Sequence, residues 1–145
     1  MPVQRLDQAI ELLIKKKVSC VVLREKETFT TGGVGVKPLM NFLRQDPHFF
    51  EGALVADKVI GKAAAMLLLA SGVSEVYGTV MSESADRLLT ERGVRHRWGE
   101  LVPFIHNREG TGMCPLEEAV LNLTRPEEAF DVLDARIREL MAGKS

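Results

Sequence analysis

Val73-Ser74-Glu75-Val76-Tyr77-Gly78-Thr79-Val80-Met81 runs straight into Ser82-Glu83-Ser84. The first nine residues carry three valines and a tyrosine and predict a strand. Ser82 suits a helix N-cap, and Gly93 suits the end of a helix reaching to about Arg92. Upstream lies Ala63-Ala64-Ala65-Met66-Leu67-Leu68-Leu69-Ala70. This run is much too short to span a bilayer, which needs about 20 residues, so it reads as a buried helix stopped by Ser71-Gly72. Asp57 is placed to cap that helix, after a short apolar strand at Ala53-Leu54-Val55. Downstream, residues 94–98 predict another strand, and residues 101–105 either continue it or form a further one.

Outward from this centre, Leu6, Ala9, Ile10 and Leu13 recur at helical spacing and predict a first helix over about residues 3–17. Residues 18–24 read as a buried strand, and the turn Glu25-Lys26-Glu27 leads into Thr28-Phe29-Thr30-Thr31, giving a hairpin. Gly32-Gly33-Val34-Gly35 breaks the strand. Pro38 opens a short helix with Leu39, Met40, Phe42 and Leu43 on its apolar face, ended by Asp46-Pro47. At the other end, residues 107–112 form a loop and Pro115 opens a short helix. Thr124 and Glu127 have capping-box spacing for a last helix, with Ala129, Val132, Leu133, Ile137 and Leu140 facing inward. The series predicts a single α/β domain over residues 1–145. Its expected form is three α-β-α layers around a mixed sheet of about five strands, opening with an antiparallel hairpin.

A chain of 145 residues is long enough for one sizeable core. Hydrophobic residues at 46% and charged residues at 27% exclude a disordered chain. Nineteen basic residues against 20 acidic ones leave a net charge of -1, so a nucleic-acid partner is not expected. Two distant cysteines, Cys20 and Cys114, make no disulfide scaffold and read as reduced thiols of a cytoplasmic protein. Met1-Pro2-Val3-Gln4-Arg5-Leu6-Asp7 places polar and charged residues before any apolar run, unlike a signal peptide, and no membrane association is expected.

Familiar motifs fail on particular residues. Gly61-Lys62 invites a phosphate-loop reading, but Ala56 stands where the first glycine is needed and Ala63 where Ser or Thr is needed. Gly33-Val34-Gly35 lacks the third glycine of a dinucleotide fingerprint, Pro38 taking its place. His48, His96 and His106 have no zinc spacing and no Cys-x-x-Cys accompanies them, so no metal is expected. No cofactor is implied. The serine-hydrolase elbow Gly-x-Ser-x-Gly is absent.

Three helix starts remain. Lys58 and Lys62, four apart after Asp57, would share a helix face. Cations beside backbone N–H groups suit an anion, and equally the two lysines read as solvated surface. Cys114 precedes Pro115 and so falls at an N-cap, where a thiol is acidified, with Gly110-Thr111-Gly112 leaving the backbone open to a ligand. It also reads as a small core hydrophobe. Ser82-Glu83-Ser84 follows the carboxyl end of a strand, where open α/β sheets bind ligands, although capping alone accounts for Ser82.

Gly32-Gly33-Val34-Gly35-Val36-Lys37-Pro38-Leu39, Ala56-Asp57-Lys58-Val59-Ile60-Gly61-Lys62-Ala63-Ala64-Ala65 and Gly112-Met113-Cys114-Pro115-Leu116-Glu117 together resemble a small prokaryotic family of unknown function with a cytidine-deaminase-like fold. The resemblance spans about residues 6–132. In nucleoside deaminases one helix opens with His-x-Glu or Cys-x-Glu and the next with Pro-Cys-x-x-Cys, together holding zinc. Here Asp57 and Lys58 stand near the first pattern and Met81 to Ala85 near the second, without the ligands. The resemblance therefore implies a retained pocket with no holder for zinc-activated hydroxide.

Three functions follow as expectations. The first is a zinc-less module binding a nucleotide-like or other phosphorylated small molecule through Lys58, Lys62, Gly33, Ser82, Glu83, Ser84 and Gly112. The second is an enzyme or redox protein using Cys114, with Asp57 or Lys58 carrying protons. The third is a structural domain that self-associates as a homo-oligomer.

Overall fold

The structure is a computed structural model and describes residues 5–33, 35–107 and 109–143. Cys20–Arg24 (β1) and Glu27–Thr31 (β2) form the expected antiparallel hairpin, with Cys20 opposite Thr31 and Arg24 opposite Glu27. Leu54–Ile60 (β3) lies antiparallel on the other side of β1. Glu75–Ser82 (β4) and Arg95–Val102 (β5) add on in parallel, giving the strand order β2-β1-β3-β4-β5. This is a five-stranded mixed sheet with β3 at its centre. Residues 101–102 prolong β5 rather than starting another strand.

The helices fall on both faces. Arg5–Lys15 (α1) packs on β1 and β3 through Ala9 and Leu13, which join Val21, Leu23, Leu54 and Ala56 in a small core. The expected start at Val3 lies outside the described residues. On the other face Lys37–Gln45 (α2), Lys62–Ala70 (α3), Glu83–Glu91 (α4), Pro115–Val120 (α5) and Ala129–Ala142 (α6) cover the main core. Its fully buried side chains include Met40, Phe50, Met66, Leu68, Met81, Leu89 and Leu133. Helix α3 is buried nearly all round, as its composition requires, and α4, α5 and α6 all pack on it.

Two expected helix starts are corrected. Asp57 does not cap α3 but lies in mid-strand, because pairing of Val59 with Val80 and of Ile60 with Met81 holds the chain extended up to Gly61. Thr124 and Glu127 form no capping box. Pro126 instead opens a 3-10 turn, Pro126–Glu128, that leads into α6, whose N-cap Glu128 makes no side-chain cap bond. Glu127 pairs with Arg125. Among the described residues no helix is long and apolar enough to cross a membrane.

Candidate functional site

Strands β3 and β4 are parallel neighbours, so the helices that follow them, α3 and α4, start side by side at one edge of the sheet. A single residue, Gly61, separates β3 from α3, and none separates β4 from α4. The four leading N–H groups of each helix need acceptors there.

Helix α4 supplies its own. Ser82 is its N-cap, and its Oγ accepts from the Ala85 N–H at 3.2 Å, as its sequence position predicts. Ser84 Oγ lies 3.2 Å from Ser82 Oγ, and Glu83 is exposed.

Helix α3 cannot do the same, because Gly61 has no side chain. Its acceptor comes from α5, 55 residues further along the chain: Glu117 Oε1 accepts from the Lys62 N–H at 2.8 Å and Oε2 from the Ala63 N–H at 3.1 Å. A Cβ on residue 61 would lie 2.5 Å from the Glu117 carboxylate, so a side chain there would push that acceptor off the helix start. Burial pushes the Glu117 carboxyl above its usual range, against the pull of the two N–H groups and the Lys62 ammonium. Lys62 Nζ donates to the Leu121 carbonyl at 2.8 Å, beyond the end of α5. Burial lowers its pKa, Glu117 raises it and Arg87 lowers it further. The helix start that reads as open to an external anion is thus filled by an internal one. Glu117 ends the Gly112–Glu117 run that carries the family resemblance, but no spacing marks it as the cap of a distant helix. Its signal is a helix-opening Gly61 with no side-chain acceptor nearby.

Lys58 and Lys62 do not share a helix face, because Lys58 is an exposed residue of β3 and Lys62 is the first residue of α3. Lys62 instead lines a cleft of about 190 Å³ with Ser84, Arg87, Glu91 and Arg92 of the α4 region and with Thr124. Arg92 Nη2 donates to the Thr124 carbonyl at 3.1 Å. Among the described residues Arg87 makes no hydrogen bond or ion pair. Lys58, Glu83, Gly33 and Gly112 are not among the residues lining this cleft.

Asp57 faces Cys20 across β1 and Gly78 across β4. Asp57 is 8% exposed and its Oδ1 accepts from the Val59 N–H at 3.1 Å. Burial raises its pKa to about 6, with Val59 N–H, the Cys20 thiol and Lys58 N–H pulling the other way. Burial also drives the Cys20 thiol well above its ordinary range, and the Asp57 charge adds to this. The thiol beside Asp57 is therefore Cys20. Cys114 is the half-buried N-cap of α5 and makes no side-chain cap bond; it stands one helical turn before Glu117. Gly33 lies against Pro38 and its carbonyl accepts from Ser19 Oγ. The Gly112 carbonyl accepts from Asn107 N–H, closing the 107–112 loop. Among the described residues no group of three or more His, Cys, Asp or Glu is placed to hold a metal ion.

These features define an α/β protein with two helix starts at the carboxyl edge of a parallel strand pair, one of them sealed from within. The chain belongs to the DUF1893 family, a domain of unknown function that matches residues 8–137. It is similar to a solved DUF1893 family protein from Thermotoga maritima, at 31% identity over 90% of this chain and 88% of that one, with a TM-score of 0.82. No curated protein matches the chain.

Proposed function

We propose that this chain is a binding domain for a phosphorylated small molecule, and that the phosphate enters the cleft between Lys62, Ser84, Arg87 and Arg92. The observation that carries this reading is the charge of the cleft: three cationic side chains line it and one carboxylate, Glu91, opposes them. Burial and Arg87 disfavour the Lys62 charge against the pull of Glu117, and a bound anion would offset both. A volume of about 190 Å³ suits a phosphate and its nearest atoms rather than a whole ligand. The rest of the molecule would extend along the exposed side of α4.

The same reading takes the fold as cytidine-deaminase-like. The opening hairpin, the alternation of strands and helices that follows, and the strand order support it. On that reading the two metal-bearing helix openings correspond to Gly61-Lys62 and Ser82-Glu83-Ser84, which hold no His or Cys. The metal's place in anchoring the first helix opening is taken by Glu117, leaving a pocket that binds without hydrolysing.

Calorimetric titration with AMP and with inorganic phosphate tests this. Both should bind the unmodified protein. Arg87→Ala and Lys62→Ala should each weaken AMP binding at least ten-fold, since a charge-assisted contact is worth about 1.5–3 kcal/mol. Arg87 is exposed, so its variant leaves the fold untouched. Equal affinity in the Arg87 variant and the parent would overturn the reading.

A further inference from the structure

A groove of about 570 Å³ runs between α2 and α6 and shares no residue with the Lys62 cleft. Its floor is apolar: Met40 is fully buried and Ile137 nearly so, while Met141 stands at the rim 64% exposed. Its polar rim holds Lys37, Arg44 and Arg138 against one carboxylate, Asp134. That carboxylate is already used twice. Arg44 Nη2 donates to Oδ1 at 2.7 Å, and Arg138 Nε donates to Oδ2 at 3.2 Å. Both guanidiniums hold the Asp134 carboxyl below its ordinary range.

Arg44 is fixed from three sides. Besides Asp134, its Nη1 donates to Asn41 Oδ1 at 3.0 Å, and its guanidinium lies 5.4 Å from the centre of the Phe130 ring. It therefore acts as a strut that sets the spacing of the two helices. Arg138 spends only Nε on Asp134, and Lys37 has no hydrogen bond or ion pair among the described residues. Above the apolar floor, Lys37 on one wall is thus unpaired among the described residues, and Arg138 on the other shares its single carboxylate with Arg44, leaving three positive charges against one negative. Helix packing alone does not call for this arrangement, since interdigitated apolar side chains would close the gap.

We propose that the α2–α6 groove is a second ligand site, and that it takes a small amphiphilic anion: a single carboxylate or phosphate head on an apolar body. The head is gripped between Lys37 and Arg138, with the Arg44–Asp134 bridge holding the walls apart. The body lies on Met40 and Ile137. Met141, unbranched and polarizable, folds over it. A volume of about 570 Å³ is in the range of small-molecule sites.

The probe is 1-anilinonaphthalene-8-sulfonate, an aromatic body with one anionic group, followed by its fluorescence on the folded protein. The proposal expects saturable binding at one site. Decanoate or decyl phosphate should displace the probe, and the stronger of the two identifies the head group. Decanol and inorganic phosphate should not displace it. The double variant Lys37→Ala/Arg138→Ala should bind the probe at least ten-fold more weakly, and Met141→Asp should lose a similar factor by placing a negative charge on the rim. All three positions are exposed, so an unchanged melting temperature is expected to accompany the loss. Lys62→Ala should leave probe binding unchanged, which separates this site from the phosphate cleft. Undiminished binding in the double variant would overturn the proposal. So would displacement by decanol as strong as by decanoate, or a signal that falls as protein concentration rises and so gives the groove to a second copy of the chain.

Discussion

Helices α3 and α4 begin one strand apart on the same sheet edge and are finished by opposite means. Helix α4 takes its acceptor from the residue before it, Ser82, a neutral hydroxyl that costs little to bury once bonded. Helix α3 takes its acceptor from Glu117, a charged group from another helix, and keeps residue 61 bare to admit it. The first solution is local and closes only α4. The second ties α5 to α3, so the same two hydrogen bonds cap a helix and fix the position of another element. Lys62 strengthens the tie by reaching from α3 to the Leu121 carbonyl beyond α5.

The sharpest way to break this contrast is Glu117→Ala. It leaves the Lys62 and Ala63 N–H groups without their acceptor in a buried site and removes the carboxylate from the positive end of α3. Each orphaned group costs about 1–3 kcal/mol, so a total loss of roughly 3–4 kcal/mol is expected. For a chain of this size that corresponds to a fall in melting temperature of about 10 °C. Denaturant unfolding of the parent and the variant measures it. A loss below 1 kcal/mol would mean that α3 is no more dependent on its distant cap than α4 is on its near one.

That difference also explains what the chain reveals in sequence. The α4 start is legible because strand, cap and helix follow one another within Met81-Ser82-Glu83. The sheet is legible for the same reason: the hairpin and the alternation of strands and helices are each written in neighbouring residues. The α3 start is not legible, because its acceptor is 55 residues from its donor and nothing in the spacing of Gly61 and Glu117 links them. An aspartate four residues before a glycine was the nearest cap in sequence, and it lost to the pairing of β3 with β4. The proposed cleft follows the same rule: Lys62 and Ser84 are legible as candidates because each sits at a helix start, whereas Arg87 and Arg92 join them only when α4 packs beside α3.

The second buried carboxylate sharpens the comparison through pH. Asp57 titrates near 6 in the folded chain against an ordinary value of 3.8. The folded state therefore holds this proton more tightly than the unfolded state, and its favourable share of stability is complete below about pH 4. It is lost as the pH rises through the interval up to about 6. The full difference corresponds to about 2–3 kcal/mol. Asp57→Asn keeps an oxygen for the Val59 N–H and carries no charge, so it should be more stable than the parent at pH 7 by up to that amount. Its stability should fall less steeply between pH 4 and 6. The slope that remains contains the Glu117 share, which has the same sign because its carboxyl is also raised. The Ser82 cap itself contributes no slope, since a serine hydroxyl does not titrate there. Urea unfolding at a series of pH values gives both curves. Parallel curves for the parent and Asp57→Asn would show that Asp57 is not the group that titrates.

The smallest effect is expected at Ser82, and it sets the baseline for the others. Ser82→Ala removes one neutral hydrogen bond, to the Ala85 N–H, and also the contact with Ser84 Oγ. Loss of a serine N-cap costs about 0.5–2 kcal/mol, typically near 1. Ser82 is fully buried, which places the value in the upper half of that range, because water does not reach the vacated N–H. The removed hydroxyl is small, so no cavity penalty of the kind seen for large core side chains is added. Glu117 remains in place, so α3 and α5 should keep their junction, and the AMP affinity proposed for the Lys62 cleft should change by no more than about two-fold. Unfolding in urea gives the stability loss and titration with AMP gives the affinity. If Ser82→Ala destabilises as much as Glu117→Ala, a local cap and a cross-helix tie are energetically alike here. The bare glycine at 61 would then reflect only the space taken by Glu117, not the energy it supplies.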